Sequence, residues 1–224
     1  MTRHYGRPGL ISLHRLAAAA LIAAALGVPA SAQNNPGEPE RFRGVITRVD
    51  ASSVAIRTGE GKALNFALPE GFAVFALSKA SFADVDFGLY VGAVSERMGD
   101  TFSPIYRDSL SWLHKGFELR IIDEPLRGIA VGHTKWDLTP NAVITHGWVD
   151  DLEDRVISIK YGPTDQEETD VEISRDTPVL KMSLGDKALL KAGARVLVGA
   201  QNAGGGGYAA VFVFVGKDGI VPPL

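Results

Sequence analysis

His133, Trp136 and Asp137 stand together in the segment GHTKWDLTPN, residues 132–141, and His146 follows shortly after. Imidazole and carboxylate donors hold Zn²⁺ or Mn²⁺ when three or four of them come within about 2.0 to 2.2 Å of one ion. A spacing of four would put His133 and Asp137 on one face of a helix. Gly132 before and Pro140 after oppose a regular helix, so the spacing alone does not fix that geometry. The same segment can also serve as a clasp. Trp136 is a large amphipathic ring suited to plugging a seam, Asp137 can accept from local backbone amides, and Pro140 fixes the exit direction of the chain. Arg127 can pair with an acid or donate to exposed carbonyls. The expectation adopted is a clasp or ligand segment made of Arg127, Gly132, His133, Trp136, Asp137 and Pro140. A metal site of His133, Asp137 and His146 is the alternative.

No catalytic residues are assigned, because no G-x-S-x-G elbow or comparable signature occurs. The chain has no cysteine, which excludes disulfides, thiolate ligands and a cysteine nucleophile. Paired acids such as Asp150 with Asp151, and the run DQEETD (165–170), read as solvated strand ends that discourage edge pairing. In RDSLSWLHKGF (107–117), Leu110, Leu113 and Phe117 are spaced for one helical face, with Trp112 beside it. Trp112 and Phe117 form a candidate exposed aromatic patch for a partner or a sugar. AGGGGYAA (203–210) leads into a strand-like run and reads as a hairpin tip rather than a phosphate loop.

Residues 1–32 have the layout of a secretory signal: three arginines without an acid, the apolar run LAAAALIAAALGV, and small residues at Ala30 and Ala32. The expected mature chain keeps three of the five histidines. It also sets 20 basic residues against 26 acidic ones, a net charge of −6 against −3 for the whole chain. That balance argues against nucleic-acid binding and against a polybasic grip on anionic lipid. No later segment is apolar for long enough to span a bilayer as a helix, so a soluble periplasmic protein is expected.

The elements that must position these residues read as strands. RGVITRVD and SVAIRT alternate apolar and polar residues around a short turn, and further β-like runs follow. The order then repeats. HGWVDDLEDRVISIKYG (146–162) mirrors RGVITRVDASSVAIRTG, and TPVLKMSLGDKALLKAGARVLVGAQ (177–201) mirrors FAVFALSKASFADVDFGLYVGAV (72–94), which indicates an internal duplication. Gly88 and Gly193 each follow a helical turn and precede a strand, where positive φ is often needed. Two all-β barrels of OB type, or a single β-sandwich with two similar halves, would each fit.

GVITRVD, FADVDFGLYVGA, LRGIAVGHTKWDLTPNAVIT and LLKAGARVLVGA together resemble a group of exported proteobacterial proteins of unknown function with duplicated OB-like domains. Members often carry the label "metal ABC transporter permease". The resemblance covers most of residues 43–219, and the segment with Arg127, Gly128, Gly132, His133, Trp136, Asp137 and Pro140 is its most specific part. A permease needs several apolar spans, and this chain has none after its signal. At most, the resemblance implies an accessory role in metal uptake. Two departures stand out: residues 101–116 are longer than the corresponding hairpin, and Arg120 stands where the group implies a histidine.

The resulting expectation is an all-β protein of two tandem OB-like barrels: signal 1–32, tether 33–42, first barrel 43–122, connector 123–143, second barrel 144–219 and tail 220–224. It binds or scaffolds without catalysis and without a cofactor, its partner an unidentified periplasmic protein or small ligand. The alternative is a metal-binding accessory with Zn or Mn.

Overall fold

Alternating burial builds the strands. In SVAIRT, Val54 and Ile56 are fully buried while Arg57 is exposed, and in VISIK Ile157 and Ile159 repeat the pattern. The computed structural model describes residues 38–98, 113–164 and 166–222. The expected signal, residues 33–37 of the tether, and Trp112 with Leu110 lie outside the described residues.

Thirteen strands occur among the described residues. In chain order they are β1 (Glu40–Val49), β2 (Ser53–Thr58), β3 (Ala63–Ala67), β4 (Ala73–Lys79), β5 (Tyr90–Arg97), β6 (Leu113–Ile122) and β7 (Gly132–Lys135). Then come β8 (Val143–Glu153), β9 (Val156–Lys160), β10 (Glu168–Glu172), β11 (Val179–Leu184), β12 (Arg195–Gly204) and β13 (Gly207–Gly216). Short 3₁₀ turns at Phe82–Asp84 and Lys187–Leu189 precede β5 and β12.

The pairings close into rings. β1, β2 and β3 pair in sequence, β3 pairs β13 in parallel, β13 pairs β12, and β12 returns to β1. The second ring runs β8, β9, β10, then β6 in parallel, then β5, which returns to β8. Each ring encloses its own core: Ile46, Val54, Ile56, Phe66 and Val198 in the first, and Val91, Leu119, Ile157, Ile159 and Val171 in the second. Each such fully buried side chain contributes about 1.5–3 kcal/mol. Closed rings replace the sandwich alternative.

The strand pairing does not follow the expected tandem boundaries. Strands β12 and β13 from the second half complete the first ring, and β5 and β6 from the first half complete the second. Each ring is thus completed by two strands from the other half of the chain. β4 and β11 run between the rings and pair antiparallel, with Leu77 opposite Met182.

Glycines sit alike in the two rings. Gly88 (φ +76°) and Gly193 (φ +86°) both adopt the expected left-handed backbone. Their N–H groups donate to the carbonyls of Val149 and Ile46 respectively, each at 2.8 Å. Gly44 and Gly147 sit where a Cβ would lie 2.4 Å and 2.2 Å from the carbonyl oxygens of Arg57 and Lys160, so only glycine fits at either place.

One local expectation is corrected. Residues 113–117, expected on a helical face, are the start of β6, because Leu113–Ile122 is held between β5 and the parallel strands β10 and β11. Tertiary pairing overrides the short helical period there. Among the described residues no helix is long and apolar enough to cross a membrane.

Candidate functional site

The expected connector begins with a single 3₁₀ turn, Glu124–Leu126, and ends in β7, which pairs antiparallel with β8 of the second ring. Arg127 bonds Glu124 and also donates from Nη1 to the carbonyl of Gly88 at 3.3 Å. The Tyr90 hydroxyl donates to the Ile129 carbonyl at 2.6 Å. Burial pushes that phenol up to about 12, so it stays a donor. Gly128 (φ +85°) and Gly132 (φ +139°) supply backbone angles that side chains resist.

From β7 the segment reaches across to the first ring. Trp136 is buried among Val94, Ala142 and Ile144, with Phe117 and Leu138 packed alongside. The Arg41 guanidinium of β1 lies 4.0 Å from the centre of the Trp136 ring. Both oxygens of Asp137 accept from Arg43 of β1, at 2.9 and 3.0 Å. Burial raises the Asp137 carboxyl, but the Arg43 hydrogen bonds and the charges of Arg43 and Arg41 outweigh it and hold the group below its ordinary range. The pair is about one-third exposed, so it contributes under about 1 kcal/mol, and its role is positional. Phe117 is thus part of this packed cluster.

Under the segment, at the seam between the rings, lies a cavity of about 350 Å³. Its walls are mainly apolar, from Phe75, Ile129, Val131, Ile144, Met182, Phe212 and Phe214, with Arg41, Arg120, Trp136 and His146 among them. Arg120 is buried and bonds the fully buried Glu118 carboxylate. Its guanidinium lies 4.9 Å from the Phe214 ring centre and 5.7 Å from that of Trp136. Two buried donors at this seam, the Trp136 indole N–H and Arg41 Nε, have no hydrogen-bond acceptor among the described residues.

The three residues of the expected metal set are not brought together. His133 is opposite Thr145 in the β7–β8 ladder, while His146 is opposite Gly132. Strand alternation therefore sends the two imidazoles to opposite faces. His146 lines the seam cavity. His133 faces the end of the second ring, its Nδ1 2.8 Å from Thr145 Oγ1, its ring stacked on Tyr161 and 5.7 Å from His114. Asp137 is engaged by Arg43. Among the described residues no group of three or more metal-ligating side chains is placed to hold an ion. Pro140 lies on the His133 side, lining a separate pocket.

The histidines make stability pH-dependent. Burial, then the Arg120 charge, pushes His146 down to about 3. Burial, then His133 and Arg97, pushes His114 down to about 4. Both rings are neutral in the folded protein at pH 5, whereas the unfolded chain takes up protons near pH 6.5. The unfolded state therefore binds more protons below that value, and stability is lost as pH falls from about 6.5 towards 4. Each ring contributes a slope of about 1.4 kcal/mol per pH unit in that window. Urea midpoints measured at pH 7, 6 and 5 will fall steadily, and the slope will be shallower in His146→Gln. A flat profile would show that these imidazoles are solvated.

Sequence reasoning missed Arg41 and Glu118, and noted Arg120 only as a departure from the resemblance. Glu118 and Arg120 lie in the run FELRII, and the strand registers set them at the places that Phe212 and Phe214 of VFVFVG hold in the other ring. No family model, no curated protein and no solved structure matches the chain.

Proposed function

We propose that this chain is a non-enzymatic, exported binding protein built from two OB-like barrels that have exchanged strands, and that its ligand sits in the seam cavity. The ligand class is a small amphiphile with an apolar or aromatic body and one anionic head. The strand order of each ring, with the third strand parallel to the fifth, supports the OB-like reading.

One observation carries the site assignment. Glu118 and Arg120 form a buried ion pair at the two positions where the twin ring has Phe212 and Phe214. A buried ion pair gains little or nothing over apolar residues of similar size. The fold is therefore satisfied by phenylalanine there, and the charges answer another need. The apolar walls suit a hydrocarbon or ring, and Arg41 with Trp136 offers donors to a head group. Leaving two buried donors without acceptors costs about 1–3 kcal/mol each, which a ligand oxygen would recover. The cavity lies in the size range of small-molecule sites.

The test is a titration of the full chain with anilinonaphthalene sulfonate, followed by displacement with octanoate, decanoate or dodecanoate. One site per chain is expected, with binding weakened about tenfold in Arg41→Ala and abolished in Ile144→Trp, which fills the cavity. Decanol should compete about tenfold less well than decanoate. Absence of saturable binding, or binding indifferent to both substitutions while the near-ultraviolet spectrum is native, would rule the assignment out.

A further inference from the structure

The two rings are internal controls for one another, and they differ most where the second ring ends. The matched registers set Thr145 against Phe42, Thr169 against Leu64, Ser95 against Ala200, and His114 against Tyr208. In the first ring this end is closed by an aromatic cluster of Phe42, Phe66 and Tyr208, with ring centres 4.7 to 5.9 Å apart. In the second ring the positions of Phe42, Leu64, Ala200 and Tyr208 carry three hydroxyls and an imidazole, all buried, while Val171 stands for Phe66. Burying hydroxyls is costly without partners, and the first ring shows that the fold closes without them.

These groups are arranged around two imidazoles. Ser95 Oγ lies 3.1 Å from His114 Nδ1, and Thr145 Oγ1 lies 2.8 Å from His133 Nδ1. Each hydroxyl occupies Nδ1 and leaves Nε2 as the ring nitrogen able to meet a ligand. Arg97 and Lys135 join the two histidines in lining an open pocket of about 370 Å³. None of its lining residues borders the seam cavity.

We infer that this polar ring end is a second binding site, and that it takes an oxyanion, a phosphate or sulfate group. Arg97 and Lys135 supply fixed positive charge, and the imidazoles supply N–H donors that become cationic when an anion arrives. The neighbouring acids are directed elsewhere: Glu96 bonds Thr139 and Asn141, and Asp170 bonds Ser158. Lys115 lies towards Phe117, Tyr161 is stacked on His133, and Glu172 is opposite Lys115 on the neighbouring strand. A metal ion is disfavoured by the same Arg97 and Lys135 charges that favour an anion.

The experiment is calorimetric titration of the full chain with inorganic phosphate, sulfate and glycerol 3-phosphate at pH 6 and pH 8, in buffers of different ionisation enthalpy. Saturable binding is expected, about tenfold tighter at pH 6 and accompanied by proton uptake. It should weaken about tenfold or more in Arg97→Gln, at the pocket rim, and in His114→Tyr, which installs the residue the twin ring uses. It should persist in Ile144→Trp, which separates it from the seam cavity. Tighter binding of glycerol 3-phosphate than of phosphate assigns the site to esters, and the reverse order assigns it to the free ion. No saturable binding up to about 10 mM, binding unaltered in Arg97→Gln, or tight Zn²⁺ binding lost in His114→Tyr without any anion effect would overturn it.

Discussion

Cleaved at Gly128, the chain will give two fragments that do not fold alone and that recover cooperative unfolding when mixed. The N-terminal fragment holds β1–β6, yet its first ring lacks β12 and β13 and its second lacks β8, β9 and β10. Each fragment then exposes open strand edges and half-lined cores, and no ring retains enough burial to offset the entropy of ordering its strands. The expected effect of the cut is loss of the entire folding free energy of either half, restored in a one-to-one mixture. Urea unfolding followed by circular dichroism on each fragment and on the mixture is the check. A monomeric fragment with its own sharp transition would mean that the rings are tandem after all.

Arg120→Met will destabilise the protein by about 4 kcal/mol, because it leaves the Glu118 carboxylate buried at the seam without its guanidinium. The double variant Glu118→Met/Arg120→Met will recover most of that loss, since two well-packed apolar side chains replace an ion pair at roughly neutral cost. The twin ring, with Phe212 and Phe214 at these positions, is the natural precedent. Chemical unfolding of the four members of this cycle measures the coupling directly. If the single and double variants lose the same amount, the pair is not what holds the seam. The double variant should also lose the amphiphile, which ties this energetic test to the proposed cavity.

Much of the architecture was legible. The all-β class and the positive φ of Gly88 and Gly193 could be read from alternating runs such as GVITRVD and from the short turns before these glycines, because those features depend on local period and local backbone angles. The exchange of strands was not legible. Hydrophobic alternation states that β5, β6, β12 and β13 each have an inward face, but it is the same for either ring they might join. The helical period expected at 113–117 fails for a related reason, since apolar spacings of three and four residues mimic a helix when the partner strands are unknown. For the site, Trp136 and Asp137 drew attention to their segment, but their partners Arg41 and Arg43 are far away in sequence. His133 and His146 looked like one donor set because sequence distance hides the flip between strand faces.

The exchange also sets when the protein can fold. Glu40 pairs with Ala200, and the first ring is not closed until β13 is in place near the end of the chain. Such long-range closure gives a high contact order and a slow, late transition. A nascent or partly emerged chain has no complete barrel to form until nearly all of it is available. Sharing strands between the two rings thereby acts as a timer that postpones the native state.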